Sequence, residues 1–211
     1  MTGLADQRQH HWDDVYTRKT TQELTWYQPH AANSLRLIRQ SGIGKDAAII
    51  DVGGGASTLV DDLLHEGYTK LTVLDVSPTG LAASRERLGE SASRVKWIEA
   101  DITVVALPEQ AFDLWHDRAL FHFLTDPNDR TAYVVAMRRA VKTGGSVVLA
   151  TFAESGPKKC SGLEIVRYRP ETLQAELGNA FVLREHFAED HRTPGGATQP
   201  FLYCLFQKRT H

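Results

Sequence analysis

Ten residues, Ile49-Ile50-Asp51-Val52-Gly53-Gly54-Gly55-Ala56-Ser57-Thr58, constrain the fold more than any other stretch of this chain. An apolar run that ends in three consecutive glycines reads as a buried strand entering a tight turn. Ser57 and Thr58 then lead into a helix carrying Leu59, Val60, Leu63 and Leu64. Glycine backbone at a strand end, next to a helix start, lets a ligand touch main-chain groups directly.

The pattern downstream alternates. Residues 70–75 read as a second strand, and Ser77-Pro78 as a helix start with serine as cap and proline in the first turn. Strands follow at 95–101 and 111–116. A helix is expected over about 130–141, Gly144-Gly145 is read as a turn, and residues 146–152 form a fifth strand. Strands that alternate with helices predict an α/β fold, a parallel sheet with helices on both faces. After a short helix at Pro170, residues 181–187 and 201–207 read as an antiparallel hairpin closing the sheet edge.

A single domain is expected for 211 residues. Its parts are an N-terminal helical and aromatic lid (1–45), a core (46–153) and a C-terminal loop with the hairpin (154–211). No apolar run is long enough for a membrane span, and the N-terminus lacks a basic-then-apolar signal, which predicts a cytoplasmic protein. With a formal net charge of −2 and no stripe of Lys and Arg, nucleic acid is not expected as a partner. Cys160 and Cys204 show no CxxC spacing, so no metal site is expected.

In an open α/β sheet the ligand sits at the carboxyl ends of the strands. Those ends are Asp51 with its glycines, Asp75, Asp101 and His116-Asp117. A nicotinamide dinucleotide asks for G-x-G-x-x-G, and Thr58 stands where the third glycine belongs. A ligand with an adenosine and no pyrophosphate fits better. Asp75 is placed to accept both ribose hydroxyls, Asp101 to accept from an adenine amino group, and Ile102 to cover a ring face.

As a set these residues resemble the class I S-adenosylmethionine-dependent methyltransferases. Asp51-Val52-Gly53-Gly54-Gly55-Ala56-Ser57 is similar to their D-x-G-x-G-x-G motif with Ser57 for the last glycine, and Lys142-Thr143-Gly144-Gly145 to their K-P-G-G turn. The resemblance covers about residues 47–152. It implies a Rossmann-like, seven-stranded, mostly parallel sheet with an antiparallel last strand. It also implies S-adenosylmethionine as cofactor, held by Asp51, Gly53, Gly54, Gly55, Ser57, Asp75, Val76, Asp101, Ile102 and His116.

Asp117-Arg118-Ala119-Leu120 resembles an element of the thiopurine and small-thiol S-methyltransferase branch, which implies a small-molecule acceptor, with a thiol favoured. His116, Asp117 and Arg118 are the catalytic candidates: His116 to take a proton, and Arg118 to hold a substrate anion. His122, among Phe121, Phe123 and Leu124, is expected to be structural. Trp12 and Trp26 are expected to fold over the sulfonium by cation–π attraction. Tyr16, Tyr27, Cys160 and Arg192 are expected to line the acceptor pocket. The Trp12-Asp13-Asp14-Val15-Tyr16 start and Trp26-Tyr27 also resemble protein-lysine methyltransferases, the alternative reading. A sensor that binds the cofactor without chemistry is a second alternative. The protein is expected as a monomer or homodimer.

Overall fold

The computed structural model describes residues 3–210; Met1, Thr2 and His211, the outermost residues of the expected lid and hairpin segments, lie outside them. The chain begins with α1 (Leu4–Arg18), a turn of 3-10 helix (Thr21–Glu23) and α2 (Ala32–Gln40). The alternating core then runs β1 (Ala48–Val52), α3 (Leu59–His65), β2 (Lys70–Asp75), α4 (Pro78–Leu88), β3 (Val95–Glu99), β4 (Phe112–Arg118), α5 (Pro127–Ala140) and β5 (Val141–Phe152). A two-stranded ribbon, β6 (Lys159–Cys160) and β7 (Leu163–Glu164), precedes α6 (Pro170–Leu177) and the hairpin β8 (Phe181–Arg192) and β9 (Thr198–Lys208).

The seven-stranded sheet has the order β3-β2-β1-β4-β5-β9-β8. β1, β2, β3, β4 and β5 are parallel to one another, and β9 is antiparallel to both β5 and β8. Successive residues of a strand point to opposite faces, and here both faces are covered. Ile49, Val73, Val148 and Tyr203 therefore pack with Leu37, Ile38, Leu59 and Leu63 on one side. Ile50, Leu74, Trp115 and Leu149 pack with Tyr133, Met137 and Leu173 on the other. Two-sided burial is why β1 reads as an unbroken apolar run.

Helix starts follow local chemistry. Ser77 caps α4 by accepting from the Gly80 N–H at 3.0 Å, with Pro78 in the first turn. The Asp126 carboxylate accepts from the Asn128 N–H at 2.8 Å, and with Pro127 it starts α5 three residues before the expected Arg130. The expected turn at Gly144-Gly145 lies inside β5 instead. Gly144 takes a left-handed φ of 76° and the β4–β5 register jumps from Phe112↔Val141 to Leu114↔Ser146, so the glycines make a bulge within the strand.

Candidate active site

The sheet order reverses between β1 and β4, and a crevice opens above their carboxyl ends. Two cavities occupy it. The larger spans about 800 Å³, part of it open to solvent, and is walled by Trp12, Tyr16, Asp75, Val76, Asp101 and Ile102. The smaller spans about 500 Å³, part of it open to solvent, and is walled by Tyr27, Ser34, Asp51, Gly54, Ser57 and His116. Gly53, Trp26 and Arg118 border both.

Close approach explains the glycine run. Gly53 has φ 73°, and a Cβ there would lie 2.6 Å from Leu120 Cδ1; at Gly55, φ 35°, it would lie 2.2 Å from the Tyr16 hydroxyl and 2.9 Å from Asp75 Oδ2. Asp75, at the end of β2, is buried and accepts from the Ser77 N–H at 2.8 Å. Burial, reinforced by the charge of Asp51, pushes its carboxyl up to about 7. Asp101 differs. Burial pushes it upward, but the Thr103 N–H and hydroxyl and the Arg8 guanidinium outweigh that and hold it below the usual carboxylate range.

α1 closes over the larger cavity. Arg8 reaches Asp101 at 2.8 Å and also pairs with Asp129, while the Asp13 carboxylate accepts from the Ser77 hydroxyl at 2.5 Å. Trp12 packs edge-on against Phe123 (4.9 Å) and Trp26 (5.8 Å), and Tyr16 against Trp26 at 6.3 Å. Arg8, Trp12 and Tyr16 stand four residues apart on one face of α1, a stripe visible in the sequence once its period is noticed. Arg8 belongs to no motif of its own, so only the period it shares with Trp12 and Tyr16 marks it in the sequence.

The three residues ending β4 separate in role. His116 lies beside Asp51 in register. Its Nδ1 is 2.7 Å from Asp51 Oδ1, its Nε2 is 2.8 Å from Ser34 Oγ, and it is 2% exposed. Both ring nitrogens are engaged, so the histidine expected to take a proton has none free for an acceptor. Asp117 is fully buried and accepts from the Leu120 and Phe121 N–H groups and from the Tyr133 hydroxyl at 2.7 Å. It shapes the turn after β4 and borders neither cavity, and burial raises its carboxyl to about 6. Arg118 donates through Nε to the Tyr203 hydroxyl and through Nη1 to the Trp26 carbonyl, both at 2.8 Å. Its Nη2 is buried without a partner among the described residues.

The candidates for the acceptor pocket are scattered. Tyr16 stands at the Asp75 carboxylate and Tyr27 in the smaller cavity, while Cys160, in β6, and exposed Arg192, at the end of β8, border neither. His122 is fully buried, stacked on Phe152 at 4.6 Å, with Nδ1 accepting from the Phe152 N–H. Burial and the nearby Arg118 charge lower it to about 3, so it is a neutral structural residue, as expected.

The residues present suit a nucleoside joined to an amino acid. The larger cavity sets two carboxylates among apolar walls. The smaller holds Asp51 Oδ2, a buried carboxylate oxygen without a partner among the described residues, suited to an ammonium. Among the described residues, no group of three or more His, Cys, Asp and Glu is placed to hold a metal ion, and no helix is long and apolar enough to cross a membrane.

The family profile described as "Methyltransferase domain" matches residues 49–145, the span from β1 to the β5 bulge. The chain is 25% identical over 214 aligned positions to EEF1A lysine methyltransferase 2 of Homo sapiens, covering 94% of this chain and 84% of the human protein. Two solved structures share the fold. The N-methyltransferase NodS of Bradyrhizobium japonicum WM9, in complex with S-adenosylhomocysteine, superposes with TM-score 0.70 at 19% identity over 93% of this chain and 97% of that one. A structure described by the conversion of a disulfide bond into a thioacetal group during echinomycin biosynthesis superposes with TM-score 0.74 at 17% identity over 96% and 92%. Residues 49–145 are thus a methyltransferase domain, and the chain is an S-adenosylmethionine-dependent methyltransferase built on the class I fold.

Proposed function

We propose that this enzyme methylates a small molecule that reacts as an anion, a thiolate being the favoured acceptor. One observation carries the reading: Arg118 Nη2 is unpartnered at the place where the two cavities meet. A guanidinium held by Tyr203 and the Trp26 carbonyl, with its Nη2 donors left over, attracts an anion and repels a cation. A thiol has a pKa of about 8.5, so a fixed positive charge raises its thiolate fraction with no general base required. That matches a site in which His116 has no free nitrogen.

Bound S-adenosylmethionine supplies an electrophilic methyl group on a sulfonium. In this reading Asp75 takes the ribose hydroxyls, Asp101 and Ile102 the adenine, and the backbone of Gly53 and Gly55 the methionine portion. Trp12, Tyr16 and Trp26 cover the cationic sulfur and keep water out, worth about 0.5–2 kcal/mol per well-placed ring. Arg118 aligns the acceptor. Alignment of two reactants is worth roughly 7–11 kcal/mol, so little other machinery is needed.

Protein-lysine methylation is the second reading, favoured by the similarity to the human EEF1A lysine methyltransferase. It must bring an amine, cationic before it loses its proton, to a site bordered by the Arg118 guanidinium. A radiolabelled methyl donor incubated with lysate and purified enzyme separates the two. Label in small, extractable products, and product formed from simple thiols in a reconstituted assay, support the proposal. Label retained in protein bands, with no turnover of any thiol, refutes it.

A further inference from the structure

Ser34, His116 and Asp51 come from three separate elements, α2, β4 and β1, and form one hydrogen-bonded chain. They are 0%, 2% and 3% exposed, and all three wall the smaller cavity. Charge complementarity sets the protons. An ionised carboxylate can only accept, so Nδ1 of His116 donates to Asp51 Oδ1, and in the neutral ring Nε2 accepts from the Ser34 hydroxyl. Each polar group of the chain is matched except Asp51 Oδ2, which is buried with no partner among the described residues. That oxygen keeps its space because residue 54 is glycine: a Cβ there would lie 2.7 Å from it. A buried carboxylate oxygen left free calls for a strong donor, and a cationic one above all.

We propose that Ser34 and His116 are positioning residues that hold the Asp51 carboxylate for the ammonium group at the amino-acid end of the cofactor. Ser34 fixes the tautomer and ring angle of His116, and His116 fixes one carboxylate oxygen so that the other points at the ligand. The same logic keeps a carboxylate behind a functional histidine elsewhere, with the order here reversed: the histidine stands behind the carboxylate. The proposal rests on the smaller cavity receiving that end of the cofactor.

The test compares two ligands by titration calorimetry: S-adenosylhomocysteine, and 5′-methylthioadenosine, which has the same nucleoside and lacks the amino-acid end. Wild type should prefer the former; if it does not, the assignment of the cavity fails before the relay is reached. Given that preference, Ser34→Ala should weaken S-adenosylhomocysteine about tenfold, the effect of losing one well-placed hydrogen bond, and leave 5′-methylthioadenosine within about twofold. Ser34→Thr, which keeps the hydroxyl, should restore most of the affinity. Equal weakening of both ligands would reduce Ser34 to a packing role, and no weakening of either would remove the relay; both overturn the proposal. Should Ser34→Ala not fold, His116→Asn gives the same comparison, since it offers Asp51 an amide donor and breaks only the link to Ser34. The ratio of the two affinities within one folded variant is the readout, so a general loss of stability does not imitate the result.

Discussion

Replacing Asp75 with asparagine should make the free enzyme more stable and the cofactor complex weaker, a pair of opposite effects that a residue of mere packing importance does not produce. The carboxyl is pushed from 3.8 to about 7, by burial first and by the Asp51 charge after it. At 1.36 kcal/mol for each pH unit between those values, ionising Asp75 in the folded chain costs about 4 kcal/mol. The sign follows from a folded value above the unfolded one. The cost is absent below pH 3.8, where both states are protonated. It grows as pH rises from 3.8 to about 7, and is constant above. Asp75→Asn should therefore match wild type in denaturant unfolding near pH 4 and exceed it by up to about 4 kcal/mol at pH 8. The amide oxygen can still accept from the Ser77 N–H, so the local turn survives. Binding moves the other way. An amide accepts from one ribose hydroxyl where the carboxylate takes two, and a lost charge-assisted bond of about 1.5–3 kcal/mol lowers S-adenosylhomocysteine affinity about 10- to 150-fold. Wild type should also release about half a proton on binding at pH 7, read by calorimetry in buffers of different ionisation enthalpy, because a half-protonated Asp75 must ionise. A variant less stable than wild type at pH 8, or one with unchanged affinity, would refute the reasoning.

Removing Arg8 by Arg8→Ala unties α1 from Asp101 and Asp129; tryptophan fluorescence from Trp12 and Trp26 should report S-adenosylhomocysteine leaving several-fold faster in stopped flow, for a lost interaction of about 1–2 kcal/mol. Tyr133→Phe removes the donor to Asp117 and the acceptor for the Trp115 Nε1–H, so unfolding should show a loss of about 2–4 kcal/mol. Asp117 titrates at about 6, so that loss should be larger at pH 8, where the carboxylate is ionised, than at pH 5. In Gly80→Ala the new Cβ would lie 2.7 Å from Tyr16 Cε2, an overpacking of about 1–3 kcal/mol. Combining it with Tyr16→Ala should cost less than the sum of the two single changes, which a double-mutant cycle in thermal unfolding measures.

The parts of this enzyme legible in its sequence are those in which one element announces itself. β1 is buried on both faces, so its apolar run needs no partner to be read, and Asp75 stands at the end of a run of the same kind, whereas Asp101 lies two residues beyond β3, a half-exposed edge strand. Ser77-Pro78 marks a helix start by its own chemistry, as Asp126-Pro127 does, although the expected start at Arg130 lies three residues beyond Pro127. The bulge at Gly144 reads as a turn in the sequence because a left-handed glycine serves either purpose; only the neighbouring strand, bonded on both sides of it, decides. His116 shows the limit most clearly. A histidine at a strand end above a ligand crevice has the chemistry of a proton acceptor, and nothing in its own neighbourhood argues otherwise. What removes that role is the strand order, which places β4 beside β1 and so sets His116 against Asp51, 65 residues away, and α2, which brings Ser34 from 82 residues away. A serine on the apolar face of α2, among Leu35, Leu37 and Ile38, was the one local sign that something polar waited in the core to meet it. The acids proposed to hold the cofactor could thus be named residue by residue, whereas the way the site handles charge, with His116 engaged by Asp51 and Arg118 Nη2 without a partner among the described residues, exists only once the sheet has assembled.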